Sequence, residues 1–112
     1  MVLMVGHFDG EAALRALADP RRRQMLELVW DRERSPSDLA SRCRMSRPAT
    51  SQHLKVLREA GLVSVRLDGN RRFYRVQAGR LAELRAMLDQ FWGRRLTRLQ
   101  AELGTPDTEA GQ

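Results

Sequence analysis

The stretch Ser46–Leu62, SRPATSQHLKVLREAGL, is the part of the sequence that decides the fold. Ser46 can accept a hydrogen bond from a free N–H of a first helical turn, and the proline two residues later suits that turn. Gly61 suits the left-handed turn after a helix. The helix between them has an apolar face, with Thr50, Leu54 and Leu57, and an opposite face with Ser51, Gln52 and Lys55. This polar, cationic outer face fits the major groove of DNA.

The segment before this helix predicts the first helix of a helix-turn-helix. Ser35 and Asp38 have the spacing of a capping box at the start of a helix predicted over 36–42. The gap from Cys43 to Ser46 has the length of the turn in a helix-turn-helix. The helix over 46–60 is therefore predicted to be the recognition helix.

The segment after the recognition helix predicts a β-hairpin. Two β-prone runs flank the turn signal Asp68-Gly69-Asn70, which gives a ribbon over residues 62–76. Arginines on a short ribbon beside a helix that fits DNA favour contact with the phosphate backbone or the minor groove. The predicted fold class is therefore mainly α with a small β-hairpin wing, a winged helix-turn-helix of about five helices.

These segments together resemble the ArsR/SmtB family of bacterial winged-helix regulators, in particular the subgroup without metal-ligand motifs. The resemblance extends over about residues 11–103 and rests on LRALADPRR at 14–22, SRPATSQHLKVL at 46–57, AGLV at 60–63, and Gly69, Arg71, Arg72 and Tyr74 of the wing. It implies a homodimeric transcriptional regulator, most often a repressor. A two-fold dimer would read an inverted-repeat operator in double-stranded DNA.

The predicted DNA contacts lie on the recognition helix and the wing. Ser51 and Gln52 are expected to read base edges, whereas basic side chains hold phosphates. Arginines also crowd residues 21–23 at the start of a helix, where they oppose the helix dipole. A bound phosphate and ordinary solvated side chains both remain possible explanations there. The predicted DNA-binding set comprises Arg47, Pro48, Ser51, Gln52, Lys55, Arg66, Arg71, Arg72 and Arg75.

An apolar stripe from residue 79 to 103 predicts the dimer contact. Its leucines and aromatic residues recur at spacings of three and four, as on one helix longer than a small winged core needs. The alternative is a helix that covers only its own core. A first helix predicted over 11–18, with Leu14 and Leu17 pointing inward, is expected to contribute to the interface. The predicted interface comprises Leu14, Leu17, Leu84, Leu88, Phe91, Trp92, Leu96 and Leu99.

Size and composition agree with a DNA-binding dimer. The chain has 112 residues and a net charge of +6, from 20 Lys and Arg against 14 Asp and Glu, which favours a polyanionic partner. A chain of this length forms one domain with a thin core, so support from a partner subunit is expected. We predict a flexible arm over 1–9, the DNA-binding and dimerisation domain over 10–103, and a disordered tail over 104–112.

Metal sensing and catalysis find no support in the sequence. The single cysteine, Cys43, cannot supply the several thiolates of a soft-metal site, and residues 79–103 contain no His or Cys. There is no Gly-rich phosphate loop and no oriented nucleophile–base set. We therefore predict no catalytic residue, no metal ligand and no cofactor, and we expect Cys43 and His53 to be packing residues.

The expected location is the cytoplasm, without contact to a membrane. No uncharged stretch approaches the ~20 residues that span a bilayer, and the apolar start at 1–5 lacks the features of a signal peptide. Two other functions stay open. One is a regulator switched by oxidation of Cys43 or by its pairing between chains. The other is a winged-helix protein-interaction module without DNA binding.

Overall fold

The computed structural model describes residues 9–104. Apart from Asp9 and Gly104, the predicted arm over 1–9 and tail over 104–112 lie outside the described residues. The chain divides after Leu81 into two compact units. The elements are, in order, α1 Gly10–Leu17, α2 Pro20–Leu28, α3 Pro36–Cys43, α4 Arg47–Glu59, β1 Val63–Asp68, β2 Arg71–Val76, α5 Ala78–Leu88, a π-helical segment Asp89–Gly93, and α6 Arg94–Glu102.

Side-chain caps fix where the first helices begin. Asp9 accepts hydrogen bonds at the start of α1 from the N–H groups of the second and third residues after it, at 3.0 and 3.2 Å. Asp19 does so for α2 at 2.7 Å, and Ser46 for α4 at 3.2 Å. α2, α3 and α4 each have a proline in the first turn, where no helical N–H partner is lost. These starts follow directly from the local sequence.

The capping box predicted for α3 forms only in half. Ser35 Oγ accepts from the N–H of Asp38 at 3.2 Å, as expected. The Asp38 carboxylate instead accepts from Arg34 Nη1 at 2.8 Å and from Arg42 Nε at 3.1 Å. A guanidinium offers a stronger, charge-assisted hydrogen bond than a backbone N–H does. Asp38 therefore connects Arg34, in the loop before α3, to Arg42 in the last turn of that helix.

The buried face of α1 differs from the prediction. Ala13 and Ala16 are fully buried, whereas Leu14 is 41% exposed and Leu17 only half-buried. α1 packs against α2 and α4. Small side chains on the inner face allow this close approach, so the leucines are turned away from the core. The expectation that Leu14 and Leu17 point inward was wrong.

Two of the three arginines at residues 21–23 make contacts within the chain that were not predicted. Arg22 donates from Nε to the carbonyl of Ala16 at 2.7 Å and from Nη2 to that of Arg15 at 3.1 Å. Arg23 Nη1 donates to the carbonyl of Leu17 at 2.7 Å. The last carbonyls of a helix lack helical partners and carry the negative end of its dipole. Arg22 and Arg23 thus cap the C-terminal end of α1.

The first unit has a core built from α2, α3, α4 and the base of the wing. The predicted inner face of α4 is confirmed, because Thr50, Leu54 and Leu57 are each at most 1% exposed. The other large buried side chains are Met25, Leu26, Val29, Leu39, Leu62, Val63 and Tyr74. With this face of α4 held in the core, its polar face is directed outward.

The wing is an antiparallel hairpin, as predicted. Its register runs from Val63 opposite Val76 to Asp68 opposite Arg71, and the two-residue turn has Gly69 at φ +62°. Glycine adopts this left-handed conformation without steric cost. At the base, Arg34 and Tyr74 exchange backbone hydrogen bonds of 3.0 and 2.9 Å, which attaches the hairpin to the loop before α3.

The second unit consists of most of α5, the π-helical segment and α6. These form one continuous helical stretch, so the described chain has the five helices and the wing that the sequence predicts. The π-helical turn, which the apolar spacing did not indicate, contains Phe91 and Trp92. Their rings meet edge to face at 4.7 Å. Among the described residues, no helix has both the length and the apolar character to cross a membrane.

Candidate nucleic-acid interface

The outer face of α4 is open to solvent. Every residue predicted for DNA contact on this helix is exposed: Arg47, Pro48, Ser51, Gln52 and Lys55. The side chains near its N-terminal end are short and polar, and the basic side chains flank them. Such a face offers hydrogen-bond donors and acceptors for base edges together with positive charge for phosphates.

An open groove of about 580 Å³ lies between α4, the start of α3 and the wing. Its lining includes no acidic residue. Its walls include Ser51 and Tyr74, together with Asn70 and residues 35–37. The basic residues that line it are Arg47, Lys55, Arg58, Arg71 and Arg72. This concentration of positive charge in a concave surface is suited to a polyanionic backbone.

Some residues of the groove were missed by sequence reasoning. Arg58 follows Lys55 by three positions and Ser51 by seven, so the helical period could have included it. Ser37 contributes through its Oγ, which accepts a hydrogen bond from Arg47 Nη1 at 2.5 Å. Asn70 lies at the hairpin turn. The contribution of Ser37 could not be predicted, because it depends on how α3 packs against α4.

The two faces of the wing separate its arginines. Residues paired across the hairpin share a face, and neighbours along a strand alternate. Arg72 shares its face with the buried Tyr74, and both line the groove. Arg66 and Arg75 lie on the opposite face of the ribbon. Arg71 is on that second face too, but it is beside the turn and reaches the groove.

Arg66 is held by a carboxylate on the face away from the groove. It donates to Glu33 from Nε at 2.9 Å and from Nη2 at 2.9 Å. The hydrogen bond from Arg66 lowers the pKa of Glu33, and the same hydrogen bond raises the pKa of Arg66. The predicted phosphate contacts of Arg66 and Arg75 remain without support from this geometry.

His53 and Cys43 lie apart from the groove. His53, half-buried on α4, has Nδ1 at 3.5 Å from Arg22 Nη1. Cys43 is buried in the inner face of α3, and this burial raises the pKa of its thiol. Since the thiolate is the reactive form of cysteine, the environment favours a packing role. Within residues 9–104, no group of three or more His, Cys, Asp or Glu side chains is placed to hold a metal ion.

Comparisons with known proteins agree with this geometry. A family model described as "Bacterial regulatory protein, arsR family" matches residues 19–65, from the cap of α2 into β1. The HTH-type transcriptional regulator Rv2034 of Mycobacterium tuberculosis is 46% identical over 87 residues, which are 78% of this chain and 81% of that protein. The transcriptional activator HlyU of Vibrio cholerae is 40% identical over 76 residues, 68% of each chain.

Solved structures show the same fold. An ArsR-like transcriptional regulator from Rhodococcus sp. RHA1 superposes with a TM-score of 0.70 and 28% identity, over 86% of this chain and 93% of that one. The region that the family model matches contains α4, which supplies three of the five basic residues of the groove. This chain is therefore a DNA-binding transcriptional regulator, and it belongs to the ArsR family of bacterial winged-helix regulatory proteins.

Proposed function

We propose that α4 lies in the major groove of an operator and that the adjacent basic groove holds the phosphate backbone beside it. The observation that carries this proposal is the groove itself, which has five basic side chains and no acidic one next to an exposed polar helix face. Each guanidinium or ammonium group that meets a phosphate releases condensed counterions, which strengthens binding to any duplex. Sequence preference then comes from the helix.

Within this arrangement the residues have different roles. Ser51 and Gln52 read base edges, since they are short hydrogen-bonding side chains at the exposed N-terminal half of α4. Pro48 contacts the backbone from the first turn. The phosphate contacts come from Arg47, Lys55, Arg58, Arg71 and Arg72. Arg66 and Arg75 are left out of the surface, because they lie on the other face of the wing and, unlike Arg71 beside the turn, do not line the groove.

We further propose that the working unit is a two-fold dimer. The second unit exposes a set of large apolar side chains, each about half accessible: Phe91, Trp92, Leu96 and Leu99. A cluster of this kind on a helix is typical of a surface that meets another protein. Of the other residues predicted for the interface, Leu14 is exposed on α1 and Leu17 and Leu88 are partly exposed, whereas Leu84 is buried within the single chain and has little surface to offer a partner. Two copies present two α4 helices, which can read half-sites about 34 Å apart in an inverted repeat.

A regulatory mode is proposed on the same basis. A dimer that covers about one and a half turns of DNA blocks other proteins from the same site, so we propose repression by occupancy of the operator. The chromosome is in the bacterial cytoplasm, where the protein would act. We also propose that DNA binding does not require a metal ion, because Cys43 is the single cysteine and residues 79–103 contain no His or Cys.

Two of the three arginines on β2, Arg72 and Arg75, provide the test. Arg72 faces the groove and Arg75 faces away, so each alanine variant removes one charge from the same strand. On a duplex selected from a random pool with the wild-type protein, Arg72→Ala should weaken binding by about tenfold and lower the salt slope by about one. Arg75→Ala should change the affinity by less than about threefold. Equal losses for both variants would contradict the proposed surface.

A further inference from the structure

The outer half of the wing has little backbone support. At its base, the backbone of Tyr74 bonds to Arg34, and the N–H of Val76 donates to the carbonyl of Val29 at 3.0 Å. Within the part of the chain that the structure describes, the backbone of residues 66–73 forms hydrogen bonds only between the two strands. A two-stranded ribbon is marginally stable by itself. Side chains must therefore fix the direction in which the ribbon points.

One side-chain pair holds this outer half from outside the ribbon. Glu33 belongs to the loop between α2 and α3, and it receives two hydrogen bonds from Arg66 of β1 at 2.9 Å each. Arg66 is the first residue of β1 beyond the level of Tyr74, since Val65 pairs with Tyr74 and Arg66 with Phe73. A bidentate guanidinium–carboxylate contact fixes orientation as well as distance.

The pair is connected to the groove through an aromatic ring. The Arg66 guanidinium carbon lies 4.8 Å from the centre of the Phe73 ring, directly across the hairpin. The Arg71 guanidinium carbon lies 4.9 Å from the same ring. Cations over an aromatic face are attracted by its negative quadrupole. Contacts thus run from Glu33 through Arg66 and Phe73 to Arg71, which lines the groove.

We propose that Glu33 and Arg66 are positioning residues for DNA binding: they hold the wing so that Arg71 and Arg72 meet the phosphate backbone. This inference rests on the proposed DNA surface. It assigns Arg66 a different role from direct phosphate contact, and the two roles predict opposite effects when Glu33 loses its charge. If Arg66 bound phosphate, removal of Glu33 would free its guanidinium and remove an anion near DNA, so binding would tighten. If the pair positions the wing, binding weakens.

The test compares Glu33→Gln with Asp31→Asn. Both variants remove one negative charge from the same loop, and Asp31 is exposed. The probe is a duplex of about 30 base pairs selected from a random pool with the wild-type protein. Glu33→Gln should weaken binding by about threefold to tenfold. Asp31→Asn should leave the affinity within about twofold of wild type or raise it slightly. Thermal unfolding verifies that each variant is folded.

Exchanging the two charges shows whether DNA binding needs the salt bridge itself or only the carboxylate of Glu33. The double variant Glu33→Arg with Arg66→Glu keeps the net charge and permits a salt bridge of reversed polarity. It should bind within about threefold of wild type, which has the same net charge. Unchanged or tighter binding by Glu33→Gln would overturn the inference. A double variant that binds no better than Arg66→Glu would overturn it as well. Either result would leave the proposed DNA surface in place. A wild-type protein that binds no duplex would overturn both.

Discussion

Individual arginines in this protein have different roles, which are set by the groups that their guanidinium ions contact. Arg22 and Arg23 reach the last carbonyls of α1, and Arg66 reaches a carboxylate. Arg72 lines the groove, which no acidic residue lines. A guanidinium that is already held by a carboxylate or by the last carbonyls of a helix has less to gain from a phosphate. Position in the fold, more than residue type, therefore determines which arginines are available to DNA.

The contacts of these residues could be predicted only where they are local or periodic. The exposed polar face of α4 follows from the 3.6-residue period, and all its predicted residues are exposed. The alternation along β2 could have shown that Arg72 and Arg75 face opposite ways. The partner of Arg66 could not be predicted, because Glu33 is separated from it by 33 positions in the sequence.

At this scale, Gln52 is expected to carry sequence preference. It is exposed on α4 beside Ser51 and does not line the basic groove, so its amide is available to base edges. Gln52→Ala should cost about 1–3 kcal/mol on the selected duplex and much less on a random one. Competition binding against both duplexes measures the ratio. An equal loss on both would mean that Gln52 contacts the backbone.

At the scale of elements, local chemistry determines where a helix starts, but it does not always determine the hydrogen-bonding pattern inside the helix. The start of α4 lies where it was predicted, because the N-cap Ser46 and Pro48 in the first turn determine it. The π-helical turn at Asp89–Gly93 was not predicted. It adds one residue to a turn, and apolar spacings of three and four are compatible with either geometry. Local sequence patterns therefore predict where a helix begins better than they predict the hydrogen-bond register inside it.

The ion pairs around α3 predict a defined response to acid. The hydrogen bond from Arg34 lowers the pKa of Asp38, so the folded protein binds this proton less readily than the unfolded chain does. Its stabilising contribution is therefore complete above the unfolded value of about 4 and is lost as the pH falls through the lower, folded value. Asp38→Asn should lower the Tm by a few degrees at pH 7.

The difference in Tm between wild type and Asp38→Asn should shrink as the pH falls below about 4. Thermal unfolding followed by circular dichroism from neutral to acidic pH measures it. Glu27→Gln, an exposed position on α2, serves as the control. A difference that stayed constant down to the lowest pH would show that the Asp38 carboxylate charge does not provide the stabilisation.

At the scale of the whole molecule, the chain combines a basic first unit with a second unit that exposes apolar side chains. Five of its 20 Lys and Arg residues line one groove. Trp92 and Phe91 are about half exposed in a single chain, which is unusual for residues of this size. The first surface fits a polyanion and the second fits another protein. We therefore expect DNA binding to depend on assembly.

The variant Trp92→Glu tests this dependence. Because Trp92 is 46% exposed, a carboxylate there leaves the single chain folded but would be buried without a partner in a dimer interface. Ala101→Glu is the control, since it places the same charge at an exposed position on the side of α6 opposite Leu96 and Leu99. Sedimentation should show a monomer for Trp92→Glu and a dimer for Ala101→Glu.

The most direct test of the central claim is a hydroxyl-radical footprint on the selected duplex, made with wild type and Trp92→Glu. This footprint tests whether two α4 helices, brought together by a two-fold dimer, read the DNA. We predict that the wild type protects two symmetric segments about one helical turn apart, and that Trp92→Glu protects neither at the same concentration. A single protected segment with the wild type, or an identical footprint with folded Trp92→Glu, would contradict it.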